Sequence, residues 1–511
     1  LADADVIVIG SGIGGLSCAA ILARYGFEVL VCESHSIAGG AAHSFERNGF
    51  HFDSGPSLFS GLSSPSPNPL RQVLDAIEVT LPCAQYDTWG CFLPEGNFDT
   101  AVGAEQFCEV LQTLRGDRAV REWQNLQRVM EPYAQAAIAL PPAALRYDWG
   151  AAITIGQFLP SLARHGFAMG KLSGSFDRIL REAVTDPFLQ NWLNLLCFLL
   201  SGLPASDTSA AEMAFMFADW YRPNVKLDYP IGGSGALVNA IVQGFERLGG
   251  KLRLNAHVDR ILVQQNRAIG IRLRSGEELR ARRAVVSNAS VWDTLKLLPP
   301  DALPERDRTQ RQATPACPSF MHLHLGIDGA NLPPNLACHH IIVNDWAAGI
   351  TAPQNVVLVS IPSLLDPALA PPGKHAIHVY TPGNEPYELW QNFDRRSEAY
   401  VSQKAKRAAV MWHALERIIP DIRSRCEVEL VGTPLTHERY LRRDRGTYGP
   451  AISAAKGFFP TGTTPISGLL CCGDSTFPGI GLPAVAASGI IAANSIASVS
   501  QHQALLKDIG C

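Results

Sequence analysis

The 511-residue sequence predicts an α/β fold, a parallel-sheet nucleotide-binding domain interleaved with a second, α+β domain. Three observations carry that prediction. A strand, a glycine-rich turn, a helix and a second strand follow one another over residues 5–33. A second glycine-rich and nearly uncharged segment, "CCGDSTFPGIGLPAVAASG", runs from Cys471 to Gly489. Between them lie a helix-rich stretch and a strand-rich stretch, both too long to be loops. A chain of this length supports two or three domains, or two that interleave.

The first strand is the β-branched apolar run at residues 6–9, the pattern of a buried parallel strand. Gly10, Gly12 and Gly15 follow as G-x-G-x-x-G, and a helix with Leu16, Ala19, Ala20 and Leu22 ends at Gly26. The second strand, residues 27–32, ends at Glu33, about twenty residues past the glycines. Gly10 serves the tight turn, Gly12 the approach of a pyrophosphate, and Gly15 close helix–strand packing. The helix N-terminus offers N–H groups and a positive dipole end to phosphate. Glu33 suits a ribose hydroxyl and disfavours a 2′-phosphate. These are the parts of a Rossmann-like domain. Gly39 and Gly40 form a further glycine loop directly after the second strand, followed by a turn at Asp53, Gly55 and Pro56. Two glycine loops fit a long dinucleotide stretched across the domain, as FAD is.

The later segments extend the pattern. "YPIGGSGALVNAIVQGFERLGG" places a glycine turn before a helix, and "RRAVVSNAS" reads as another strand. Together with "GSGIGGLSCAAILARYGFEVLVCE", "AGG", "GFHFDSGPSLF", "GTPLTHERYLRRDRGTYGPAI" and "GLLCCGDSTFPGIGLPAVAASG", they resemble the phytoene desaturase and carotenoid isomerase family of FAD-dependent flavoproteins. The likeness is nearest to the plant and cyanobacterial isomerase branch. It implies a GR2-type, amine-oxidase-like FAD domain at residues 1–100, 227–300 and 460–511. Residues 101–226 and 301–459 then form the substrate domain. It also implies cofactor contacts at Ser11, Ile13, Gly14, Ala41, Ala42, Ser57, Val258, Gly473, Asp474, Gly481, Leu482, Pro483 and Ala484. Val258 would lie at the adenine end, and Asp474 at a ribityl hydroxyl or the pyrophosphate. Gly479, Ile480 and Gly481 let the backbone approach the ring.

Composition limits the partners. Hydrophobic residues make up 47% and charged residues 18%, below the usual quarter, which points to apolar surface or an apolar substrate. A net charge of -4 argues against nucleic acid. The 12 cysteines are scattered with no C-x-x-C pair, against a zinc site or a disulfide framework and for a reducing compartment. No signal-peptide pattern precedes the first strand. "PFLQNWLNLLCFLLSGLPAS" is interrupted by Gln190, Asn191 and Asn194 and reads as a buried or interfacial helix rather than a span. "LSSPSPNP", residues 62–69, reads as a loop. The segments "SFMHLHLGI", "NVVLVSI" and "KHAIHVYT" read as half-exposed strands. His322 and His324 then point the same way from one strand, either into a chamber or along an ordinary polar strand face, and His339–His340 read as surface, with no metal expected.

Four residues are candidates for chemistry: His437, Glu438, Arg443 and Asp444. Arg443 or His437 suits an anionic reduced ring, and Glu438 or Asp444 a general acid. A solvated charged helix face accounts for the same block. The resemblance implies a hydrophobic polyene substrate, peripheral membrane contact, and a plastid or cyanobacterial cytoplasm. The expected function is cis–trans isomerisation of a poly-cis lycopene-like carotenoid with reduced FAD. The alternatives are a desaturase, saturase or hydratase on the same fold, or a non-catalytic FAD-stabilised carotenoid-binding protein. A generic amine oxidase would need an aromatic cage that "FPGIG" does not supply.

Overall fold

The computed structural model describes residues 3–63, 66–222 and 224–511. Ser64 and Pro65, in the expected loop 62–69, lie outside the described residues. Two seven-stranded sheets organise the chain. In the first, strands Lys251–Arg253, Val29–Cys32, Ala4–Ile9, Glu278–Ser287 and Leu469–Cys471 run parallel. The hairpin Val258–Gln264 and Arg267–Leu273 joins the far half of Glu278–Ser287 antiparallel. That ten-residue strand therefore serves twice: Gly270 faces Arg280 at one end, and at the other Ser287 sits between Ile9 and Cys471.

Helix Ile13–Arg24 is buried along nearly its whole length because helices Gly233–Arg247 and Leu482–Ile496 both pack on it. Small side chains permit this. A Cβ at Gly489 would lie 2.3 Å from the carbonyl oxygen of Gly14, so only glycine allows the two helices so close.

The second sheet runs Cys426–Gly432, Ser319–Asp328, Lys374–Glu385, Val356–Ser360, His339–Val343, Thr88–Leu93 and Gly96–Ala101. All pairs are antiparallel except His339–Val343 with Thr88–Leu93. The expectation of half-exposed strands is corrected here: Val356–Ser360 is buried at every position. Alternate side chains enter two different cores. Ile341, Val343 and Leu358 meet the helical insert, while Ile342, Val357 and Val359 meet Met411 and Leu415 of helix Glu398–Ile418. The boundary at residue 100 is corrected as well, because strands Thr88–Leu93 and Gly96–Ala101 belong to the second sheet.

The insert is helical, as its apolar periodicity suggests. Helix Pro187–Ser201 starts at Asp186, whose side chain accepts the Leu189 N–H at 3.1 Å, and stops at Gly202 in the left-handed region. Phe188, Trp192, Leu195, Leu196 and Phe198 are buried in the core of the insert. Among the described residues, no helix is long and apolar enough to cross a membrane. None of the 12 cysteines forms a disulfide.

Candidate active site

A chamber of ≈ 790 Å³ opens at the carboxyl ends of the parallel strands, where ligands of open α/β sheets bind. Gly10, Gly12, Ile13 and Gly14 form one wall. Gly12 caps helix Ile13–Arg24 without a side-chain bond, so the first N–H groups of the helix remain for a ligand. The glycines are required on the other side too. A Cβ at Gly12 would stand 2.7 Å from Asn288 Nδ2, and one at Gly15 2.2 Å from the Gly10 carbonyl oxygen. Gly39 donates to the Ser11 carbonyl at 3.0 Å, and Gly40 packs on the Gly12 backbone. Ser11 and Gly15 stand behind this wall rather than on it.

Glu33 lines the chamber near Val258 and His257. Its Oε2 accepts the Ser11 N–H at 2.8 Å and the Ser11 hydroxyl at 2.7 Å. Its Oε1 accepts the His35 N–H at 2.8 Å and the Ser34 hydroxyl at 3.2 Å. A carboxylate has about four lone-pair sites, and all four are engaged. Glu33 thus holds the glycine turn to the end of the second strand before it meets any ribose. Ala41, Ala42 and Ser57 continue the wall, and Ser57 accepts the Ser360 hydroxyl at 2.8 Å.

The C-terminal glycine segment supplies the opposite wall: Gly473, Asp474, Ile480, Gly481, Leu482 and Pro483. Gly479 stands off it, packed against the Phe459 ring, and Ala484 lies one step inside helix Leu482–Ile496. Asn288 joins the two walls. A Cβ at Gly14 would lie 2.7 Å, and one at Gly473 2.8 Å, from its Oδ1. Sequence reasoning passed over Asn288, although a polar residue at the end of a parallel strand, just beyond Ser287, is a signal for this position. The glycine turns, the uncapped helix start and the polar Asn288 between them fit a flavin dinucleotide.

The structure brings all four candidate catalytic residues to this chamber. Arg443 forms an ion pair with Asp474 and donates to the Tyr448 carbonyl at 3.0 Å. Asp444 pairs with Lys296 at 2.6 Å, and Glu438 accepts the Tyr387 hydroxyl at 2.9 Å. Burial pushes His437 down to about 3, which favours the neutral imidazole and leaves Arg443 as the cation of these four.

His322 and His324 do not lie on a polar outer face, and His339 and His340 are not on the surface; all four are buried. The second sheet is covered on both sides, so its polar positions point inward. His322 Nδ1 lies 2.6 Å from His378 Nε2, with ring centroids 4.9 Å apart and planes 11° apart. The two imidazoles meet edge to edge and share a proton. His324 Nε2–H donates to the Asp53 carbonyl at 3.1 Å. Nitrogens of His322, His324 and His378 come within 4.8 Å of one another. The 2.6 Å pair is nonetheless at hydrogen-bond spacing, whereas two imidazoles on one tetrahedral ion stand about 3.3 Å apart. Burial holds His322 and His378 well below the usual histidine range, and His324 at about 4.

Leu199, Leu200, Phe215, Met216, Trp220 and Leu358 give the same chamber apolar walls. Glu212, which sequence reasoning also missed, stands among them.

A family model described as flavin containing amine oxidoreductase matches residues 13–497. The chain is 33% identical to prolycopene isomerase 2, chloroplastic, of an Oncidium hybrid cultivar, over 97% of this chain and 84% of the relative. It is 27% identical to the neurosporene-forming phytoene desaturase of Rhodobacter capsulatus, over 96% and 93%. Among solved structures, an oxidoreductase from Methanosarcina mazei aligns with a TM-score of 0.61 at 20% identity, over 95% of this chain and 98% of that one, and shares the fold.

Proposed function

The chain belongs to the flavin-containing amine oxidoreductases, and from that premise we propose that it is an FAD-dependent carotenoid cis–trans isomerase acting with reduced flavin on a poly-cis lycopene-like polyene. The observation that carries this reading is continuity: the glycine cradle, Arg443 and a set of apolar side chains line one chamber. The 33% identity to a prolycopene isomerase supports isomerisation over the other carotenoid chemistries.

In this reading the backbone at Gly12, Ile13 and Gly14 binds the pyrophosphate, and Gly481 to Pro483 abut the ring. FAD held there in its reduced form would supply the electron density that lowers the order of a conjugated double bond. Arg443, held by Asp474, would keep a positive charge on the chamber wall suited to an anionic reduced ring. Neutral His437 and His322 line the passage without the cost of a buried cation. The apolar walls exclude water and align the polyene. Glu438 and Asp444, committed to Tyr387 and Lys296, set the position of the segment that carries Arg443.

Trp149, Ile153 and Leu159 are 78%, 44% and 60% exposed within eleven residues of chain. This patch supports peripheral contact with the membrane that stores such a substrate. The chloroplastic relatives and the free cysteines support a plastid or cyanobacterial compartment.

The test is anaerobic incubation of the purified protein with poly-cis lycopene, with the flavin reduced by dithionite or left oxidised. Isomerised product of unchanged mass, formed only with reduced flavin, is the expected result. A product two hydrogens lighter or heavier would replace the isomerase reading with a desaturase or saturase. A flavin-loaded protein inert toward every carotenoid would replace it with a carrier.

A further inference from the structure

Helix Ala210–Trp220 turns one stripe to the chamber: Glu212, Phe215, Met216 and Asp219, at i, i+3, i+4 and i+7. The two carboxyl groups stand about 10 Å apart along the helix, with apolar contact surface between them. Asp219 is engaged by the Ser60 hydroxyl. Glu212 is different. The Ser209 backbone N–H bonds to its carboxyl group, and burial raises its ionisation to about 7, from 4.5. It forms no ion pair among the described residues. The groups that act on it or share its wall are Cys197 of helix Pro187–Ser201, Tyr448 beyond the Arg443 segment, and Asp219 on its own helix. Burial keeps the Cys197 thiol and the Tyr448 phenol protonated. His322, His437 and Tyr380 complete the titratable lining of this part of the chamber, the histidines neutral and the tyrosine pushed up to about 12.

We propose that Glu212 is the proton donor of the chamber, a neutral carboxylic acid that adds its proton to a carbon of the bound polyene and takes it back after bond rotation. The inference rests on the isomerase reading and adds a residue to it. The step balances without an external reagent. The Glu212 O–H bond breaks and a C–H bond forms on the polyene. The positive charge spreads along the conjugated chain, which lowers the order of the bond to be rotated. After rotation the C–H bond breaks and the proton returns to the carboxylate. No electron enters or leaves, and a reduced flavin held in the same chamber would stabilise the cation without being consumed.

Glu212 also has a structural use. Ser209 caps the helix, its hydroxyl accepting the Glu212 N–H at 3.1 Å. Glutamine keeps that backbone bond and the shape of the side chain and removes only the acidic proton, so Glu212→Gln separates the two roles.

The experiment uses the flavin-loaded protein and its Glu212→Gln variant, with poly-cis lycopene and reduced flavin across pH 5–9. We expect the variant to keep its flavin and its substrate KM and to lose at least about 100-fold in kcat, the usual share of a general acid. The wild-type rate should fall as pH rises through about 7, and the residual rate of the variant should not. Infrared difference spectra of the holoprotein should contain a protonated-carboxyl band that fades over the same range and is missing in Glu212→Gln. A variant as fast as wild type, or an unchanged infrared band, overturns the proposal while leaving the isomerase reading intact. A wild type inert toward the polyene overturns that reading, and the role of Glu212 as donor with it.

Discussion

Glu33→Gln is the substitution whose effect can be worked most fully from the geometry. The two side chains have the same shape, and a surface position would tolerate the change. Here both carboxylate oxygens accept backbone donors, Ser11 N–H on Oε2 and His35 N–H on Oε1, each at 2.8 Å. An amide offers only one oxygen. Whichever way the glutamine faces, its NH₂ group meets a backbone N–H, and the hydroxyl of Ser11 or Ser34 loses a charged acceptor. Loss of one buried charge-assisted hydrogen bond costs about 1.5–3 kcal/mol. The turn that loses it is the one proposed to hold the pyrophosphate, so FAD affinity should fall about 10- to 100-fold, at 1.4 kcal/mol per decade. Titration of deflavinated protein with FAD, followed by flavin fluorescence, measures this, with far-UV circular dichroism as the control for folding. Binding within twofold of wild type would refute the argument that Glu33 acts by holding the turn.

Gly15→Ala should abolish flavin retention outright, because its Cβ would stand 2.2 Å from the Gly10 carbonyl oxygen; a yellow, stoichiometrically loaded variant would contradict this. Glu385 is fully buried and accepts the Trp390 indole N–H and both Arg407 nitrogens at 2.9, 2.9 and 2.6 Å. Glu385→Ala strands the guanidinium and should cost about 3–5 kcal/mol, read as a lowered denaturation midpoint. Glu212 adds a pH term to stability. Its folded ionisation, about 7, lies above the ordinary 4.5, so its favourable contribution is complete below pH 4.5 and is lost as pH rises through 7. The loss is about 3 kcal/mol, so Glu212→Gln should gain stability relative to wild type at pH 8 but not at pH 4.5. Parallel denaturation curves with the same pH slope for both proteins would exclude that.

The first glycine turn was legible because each glycine answers a local demand, and strand, helix and acid follow at fixed spacing. The second sheet was not. Its strands were read as half-exposed, but both faces are covered; His322 and Tyr380 face an internal chamber, and His378 is buried beside them. Alternation reports a change of surroundings without saying whether the polar side is outside. Strand Thr88–Leu93 was assigned to the wrong domain because its pairing with His339–Val343, some 250 residues away, leaves no local trace. Asn288 and Glu212 carry no motif. Their importance comes from what arrives beside them, Gly12 and Gly473 in one case and an apolar chamber in the other.

The double service of strand Glu278–Ser287 has a consequence for synthesis. Its last residues lie between the beginning of the chain and Leu469–Cys471, and Cys472 donates to Ser287 at 2.9 Å. Helix Leu482–Ile496 then locks against Gly14. A growing chain on the ribosome can assemble the helical insert and much of the second sheet before this, but no partial chain has both walls of the flavin seat. Cofactor capture is therefore a late event that reports completion. A stalled or truncated product lacking residues beyond about 470 remains colourless however well its earlier domains fold, and flavin colour in a cell extract counts finished molecules.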